Sequence, residues 1–392
     1  MMAMKIMKKL LMRHLTAIVL VLTLVNLGLA AEARNIILMI GDGMGPAQLH
    51  AMWLYSARYL GRTFAMTEIM NEGRTAYVFN DTKDNLVPES AAAATQIATG
   101  TKVPNKTISV GSDGKPLKSI LEIAKDKGKV TGLVTTSAIT DATPAAFAAH
   151  VKNRHDEQII AEHLIGADIQ ILLGGGREFF LPEREEGSKR KDNRNLLEEA
   201  RKKSYAVVES ADEMWKATGK KLLGLFNKGD MLYEIERPGS NEPSLADMTK
   251  KALNILSTNK EGFFLMIEGG GIDRASHHND FAALVSEGLA FDEAVKVAYG
   301  FQRINADTLL ILTGDHETGG LAILSHSPMN KESEKDDPIA SLSELRKRSR
   351  WATKSHTATP LFVWGIGPGS EKINGWKHNT EIFDIMLKAY GF

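Results

Sequence analysis

Three apolar runs in this chain each stop at a carboxylate or lead into a polar cluster, and that arrangement narrows the fold more than any other feature. Ile36 to Ile40 leads into Gly41-Asp42-Gly43, and Phe263 to Ile267 into Glu268-Gly269-Gly270-Gly271-Ile272-Asp273. Leu309 to Leu312 leads into Thr313-Gly314-Asp315-His316-Glu317. None of the runs alternates with polar residues, so each reads as a parallel strand buried on both faces. Further strands at about 130–135, 168–173 and 360–365 alternate with helical stretches at about 46–60, 90–99, 120–127, 145–164, 244–257 and 279–299. This β-α alternation predicts an α/β fold: a doubly wound, mostly parallel sheet flanked by helices. Ligands of such sheets bind beyond the carboxyl ends of the strands. Acids grouped there beside histidine therefore converge on one pocket suited to cations.

The remainder of the chain sets the context. Two polar stretches, about 177–243 and 328–350, read as insertions near the active-site side of a single domain spanning 34–392. Lys5, Lys8, Lys9 and Arg13 precede the apolar run Leu15 to Val25 and the small residues up to Ala33. Residues 1–33 thus read as a secretory signal, cut after Ala30 or Ala33. An uncleaved anchor is the other reading, although the run is short for a bilayer span. Either way the protein is expected to be periplasmic or secreted, with no membrane contact beyond that segment. Losing residues 1–30 removes four basic residues and no acid, leaving 44 basic against 48 acidic. No basic stretch stands out, so a nucleic-acid surface is not expected. The chain has no cysteine, so any metal must be held by oxygen and imidazole.

Asp273 and His277 are four apart, which on a helix places both on one face and within reach of one ion; the same spacing also makes a surface ion pair. Asp315-His316 at a strand end has the same two readings, metal ligands or a turn Asp with a solvated His. His356, just before the strand at 360–365, is by itself a loop histidine. Together they offer three His and several Asp, a donor set suited to Zn²⁺, while Asp42, Thr143 and Glu268 offer oxygen alone, which suits Mg²⁺. Paired cations support in-line displacement at phosphorus. Ser90, in Pro88-Glu89-Ser90-Ala91, is a helix N-cap or a nucleophile beside a helix N-terminus that attracts anions. Arg154 is a solvated helix-end charge, on the helix that also carries His150, or a two-pronged clamp for phosphoryl oxygens.

These motifs, in this order, resemble the alkaline phosphatase family from Asn35 to about Gly369. The matching segments are Gly41-Asp42-Gly43-Met44-Gly45, Glu89-Ser90-Ala91, Asp141-Ala142-Thr143-Pro144-Ala145 with Arg154, Glu268 through His277, and Thr313 through Gly320 followed by His356. The resemblance implies a phosphomonoesterase with two zinc ions and one magnesium ion. Asp273, His277 and His356 are then the ligands of the first zinc, and Asp42, Asp315 and His316 those of the second. Asp42, Thr143 and Glu268 hold magnesium, with Asp141 close to it. Ser90 forms a phosphoseryl intermediate, Arg154 clamps the phosphoryl group, and activity rises above neutral pH. The implied partners are phosphate monoesters, inorganic phosphate and a second copy of the chain in a homodimer. The family usually has Asp where this chain has Glu89, and Arg274 and Asp141 occupy positions that vary among relatives.

Two other functions fit some of the same residues. A phosphodiesterase or another hydrolase of the superfamily would keep the metal ligands; a sulfatase is disfavoured because Ser90-Ala-Ala-Ala-Ala lacks the Ser/Cys-x-Pro-x-Arg context. A non-catalytic exported protein that binds metal or phosphate would not need Ser90.

Overall fold

A computed structural model describes residues 32–324 and 338–392. Nearly all of the signal-like segment and residues 325–337, which take in the first part of the second polar stretch, lie outside the described residues. In chain order the strands are β1 (Asn35–Gly41), β2 (Arg74–Phe79), β3 (Val130–Ala138), β4 (Ile171–Gly175), β5 (Ala206–Val208), β6 (Leu222–Leu225) and β7 (Phe263–Gly269). They continue with β8 (Thr308–Gly314), β9 (Glu317–Thr318), β10 (Leu321–Ile323), β11 (Ser349–Trp351), β12 (His356–Thr357), β13 (Leu361–Ile366) and β14 (Trp376–His378). Ten of them form one sheet in the order β14-β2-β13-β8-β1-β7-β3-β4-β6-β5. Among the described strands of this sheet only β13 runs against its neighbours.

Strand β1 shows why the apolar runs do not alternate. Ile36, Leu38 and Ile40 enter one core layer and Ile37 and Met39 the other, all fully buried. Helices cover both faces, so a polar residue on either side would be stranded without water. Parallel register then aligns the strand ends: Gly41 of β1 pairs with Gly269 of β7 and with Gly314 of β8. Asp42 and Asp315 each follow one of these glycines, and Glu268 precedes the third. Three carboxylates therefore meet at the central crevice of the sheet.

Several local expectations need correction. The helix expected over 145–164 is two helices, Ala142–Ala145 and Glu157–Gly166. Between them Val151 exchanges backbone hydrogen bonds with Ile108, and Arg154 N–H donates to Lys106 O. Those tertiary bonds outcompete helix continuation through the Ala-rich run. His150 and Arg154 consequently do not share a helix. The helix expected over 46–60 changes at Leu54 into a π-helical stretch, Leu54–Tyr59. The polar stretch 177–243 supplies β5 and β6, two short strands at one end of the main sheet, with β5 at its edge.

Helix Ala65–Glu72 starts after Phe64, which has no capping side chain. The buried carboxylate of Asp292, on helix Phe281–Ile304, does the capping instead, accepting from Ala65 N–H (2.9 Å) and Met66 N–H (2.8 Å). Asp292→Ala leaves both donors without their acceptor and is expected to cost about 2–3 kcal/mol. A lower urea midpoint at an unchanged m-value is the readout; an unchanged midpoint would refute this capping role.

Candidate active site

The first cluster stands on helix Gly271–His277 and strand β12. Asp273 and His277 lie on one helical face, with His277 Nε2 3.2 Å from Asp273 Oδ2. His356 Nε2 approaches within 3.1 Å of His277 Nε2 and 3.8 Å of Asp273 Oδ1. The outer ring nitrogens are anchored: His277 Nδ1 to Lys354 O (2.7 Å) and His356 Nδ1 to Pro88 O (3.0 Å). A carbonyl only accepts, so each Nδ1 carries a proton, which leaves Nε2 as the ring nitrogen that can ligate a cation when it is unprotonated. This is the outer support that metal-binding imidazoles have.

The second cluster follows β1 and β8. His316 Nε2 lies 3.3 Å from both Asp42 Oδ1 and Asp315 Oδ2. Asp315 Oδ1 accepts from Gly43 N–H (3.1 Å) and His316 N–H (2.9 Å). Gly43 has φ +70°, and a Cβ there would lie 2.7 Å from Asp273 Oδ1; glycine lets the Asp42 loop close onto the first cluster. In each trio the potential ligand atoms lie within 4.8 Å of one another.

Burial makes both clusters electrostatically demanding. It pushes Asp42 well above the carboxylate range, Asp315 up to about 7 and Glu268 up to about 8, with mutual repulsion of the acids adding to the effect. Burial raises Asp273 too, but the His277 hydrogen bond and the neighbouring imidazoles outweigh it and hold Asp273 low. His316 is driven down by burial and then by His356. The buried oxygens without a hydrogen-bond partner among the described residues include four of the predicted ligands: Asp42 Oδ1, Asp315 Oδ2, Glu268 Oε1 and Thr143 Oγ1. Each orphaned buried acceptor costs about 1–3 kcal/mol, more for a charged group. Cations at these positions would supply the missing partners, so the donor set fits metal.

Ser90 is the first residue of helix Ser90–Thr99, but it is not the cap. Glu89 is, its Oε1 accepting from Ala92 N–H at 3.0 Å. The Ser90 hydroxyl is left to face His316 Nε2 at 3.1 Å. Glu89 also holds Arg154: Nη1 donates to Glu89 Oε2 and Nη2 to Asp141 Oδ1, each at 2.6 Å. The extra methylene relative to Asp lets one carboxylate cap the helix, accept from Lys106 N–H (2.7 Å) and orient the guanidinium. Ser90, Arg154, Asp42, Asp273, His277 and His356 all line one cavity of about 580 Å³.

Glu89 and Asp141 line the same cavity, whereas Thr143, Glu268, Asp315 and His316 are fully buried and do not line it; His150 lies apart and bonds Ser109 O and Glu122. Sequence reasoning missed Asp230, which lines the cavity from the polar stretch and pairs with Arg274 at 3.3 Å. A lone Asp in a charged segment carries no local signal. Arg274 turns toward Met231 O and Thr136 O and lies over the Tyr233 ring.

Known proteins give the same picture. The family model described as alkaline phosphatase matches residues 33–340. Alkaline phosphatase 4 of Bacillus subtilis is 34% identical over 421 aligned positions, covering 91% of this chain and 89% of the relative. The crystal structure of Thermus thermophilus alkaline phosphatase superposes with a TM-score of 0.83 at 28% identity, covering 93% of this chain and 92% of that one. The enzyme from the Antarctic bacterium TAB5 gives 0.80 at 30% identity, with coverages of 93% and 99%. On the breadth of the family match and of these alignments, the chain belongs to the alkaline phosphatase family.

Proposed function

We propose that this phosphomonoester hydrolase works by two successive displacements at Ser90, with two zinc ions and one magnesium ion held in the crevice. The single observation that carries the reading is the Ser90 hydroxyl, free of capping duty and 3.1 Å from a buried imidazole between two carboxylates. Asp273, His277 and His356 would hold one zinc, Asp42, Asp315 and His316 the other, and Asp42, Thr143 and Glu268 the magnesium. Bound there, the cations would acidify the serine hydroxyl, offset phosphoryl charge and stabilise the departing oxygen.

The chain's own groups do the rest. Ser90 Oγ attacks phosphorus as the ester P–O bond breaks, giving phosphoserine and the released alcohol. Water then attacks the phosphoserine, releasing phosphate and restoring Ser90. Arg154, held flat by Glu89 and Asp141, presents its remaining N–H groups to two phosphoryl oxygens. A monoester dianion has three unesterified oxygens, two for the Arg154 fork and one left for the cations that would lie opposite, whereas a diester has only two. Loaded with Zn²⁺ and Mg²⁺, the protein is therefore expected to favour 4-nitrophenyl phosphate over its bis-ester by at least about a hundredfold in kcat/KM. Arg154→Lys, lacking the fork, is expected to lose about ten- to a hundredfold on the monoester, the equivalent of one charge-assisted hydrogen bond. Preference for the diester would overturn the monoesterase reading.

Export to the periplasm or medium follows from the N-terminal pattern, and no helix among the described residues is long and apolar enough to cross a membrane. Ala33 is buried and donates its N–H to Ala389 O at 2.7 Å, which favours cleavage after Ala30. A homodimer is supported by Tyr77, Phe79 and Trp376, exposed aromatic rings clustered on β2 and β14.

A further inference from the structure

Behind the two clusters lies a carboxylate that the mechanism leaves without a task. Glu317 follows His316 directly and is 2% exposed. Among the described residues no cationic side chain forms an ion pair with it; four neutral groups donate to it instead. Oε1 accepts from Gln48 Nε2 (2.6 Å), Gly320 N–H (2.9 Å) and Leu321 N–H (3.3 Å), and Oε2 from Gly320 N–H (3.2 Å) and the Thr357 hydroxyl.

The donors come from three places that matter. Gln48 sits on helix Pro46–Trp53, just past the Asp42 loop, and also donates to Thr318 O at 2.6 Å. Gly320 and Leu321 lie where the chain leaves His316 and β9 and enters β10, and Thr357 follows His356. Glu317 faces Thr357 across the β9–β12 ladder, and Thr318 faces His356. At Gly45 a Cβ would fall 2.2 Å from Glu317 Cγ, so the Asp42 loop closes over Glu317 only because it has no side chain there. The rings of His316 and His356, members of different clusters, stack at 3.7 Å between centroids. A ladder of two residues per strand is too short to hold that geometry alone; a buried carboxylate saturated with donors can.

We propose that Glu317 is a positioning residue that sets the separation of the His316 and His356 imidazoles, and through them the affinity and coordination of the two cations. The inference rests on the two-cation reading above.

The test uses the full chain stripped by a chelator and titrated with Co²⁺ by calorimetry, with visible absorption reporting coordination. Wild-type protein that fails to bind two Co²⁺ in the crevice overturns the two-cation reading itself, whatever Glu317 does. Given that binding, Glu317→Ala is expected to raise the Kd of at least one site about ten- to a hundredfold and to shift the absorption bands. Glu317→Gln, which keeps the volume and one acceptor oxygen, is expected to recover part of the loss. Thr357→Val removes the arm to the His356 strand, together with the Thr357 contacts to Thr359, and is expected to shift the same bands, so it decides the matter if Glu317→Ala does not fold. Kd values within twofold of wild type with unmoved bands in Glu317→Gln and Thr357→Val overturn the proposal. Lower stability of the metal-free variants without those changes would mark Glu317 as purely structural and overturn it equally.

Discussion

Ser90→Ala is expected to lower turnover of a phosphomonoester by roughly a thousandfold or more, the scale on which loss of a nucleophile falls. The fold should barely register the change. The residue lies in a helix whose next four positions are already Ala, alanine is the best helix former, and the cap belongs to Glu89. Loss of the hydroxyl removes the contact with His316 Nε2 and none with the backbone, so metal content should stay at the wild-type value. The measurements are kcat on 4-nitrophenyl phosphate, bound metal by atomic emission, and acid-quenched mass spectrometry for phosphoserine. Turnover within tenfold of wild type, at equal metal content, would falsify the nucleophile assignment. Phosphoserine on Ser90 in the quenched wild type, absent from the variant, would place the covalent step on this residue.

What could be read in advance was whatever a buried parallel sheet writes into consecutive residues. The runs ahead of Asp42, Asp273 and Asp315 are uninterrupted because both faces of β1, β7 and β8 are covered, and parallel register then carries their ends to one place. The Asp273–His277 spacing was legible for the same local reason, since helix geometry alone puts the two together. Arg154 was harder. Its surroundings read as one long helix, and only the bonds to Ile108 and Lys106, more than forty residues away in sequence, break it. Strands β2 and β14 left weak traces, since β2 exposes four of its six residues and β14 is three residues long; helix Thr380–Ala389 was more legible, its buried Ile382, Ile385, Met386 and Ala389 following helical spacing. Asp230 and Glu317 acquire meaning only from partners distant in sequence, Arg274 for one and Gln48 and Thr357 for the other.

Removing the cations should abolish turnover and also leave a protein whose stability falls as pH rises from about 6.5 to about 8.5. Without metal, Asp42, Asp315 and Glu268 face one another in a dry crevice, and burial followed by mutual repulsion raises all three. Asp315 reaches about 7 and Glu268 about 8, against ordinary values of 3.8 and 4.5. Over this window the folded chain retains protons that the unfolded chain has already released, so stability declines with pH. His316 and His356, lowered chiefly by burial, act in the opposite sense. Their contribution is half in place at their ordinary value of 6.5 and nearly complete about a unit above it, so within the window they offset only a minor part of the decline. His277, raised by Asp273, adds to the decline. At about 1.4 kcal/mol per proton per pH unit, the loss should be on the order of 3 kcal/mol across the window. Urea denaturation at pH 6.5 and 8.5 in a chelator, beside the Zn²⁺- and Mg²⁺-loaded protein, measures it. Cations bound at these carboxylates would keep them ionised in the fold, so the loaded protein should show little of this slope. Equal pH dependence with and without metal would mean that the crevice is not where the cations bind.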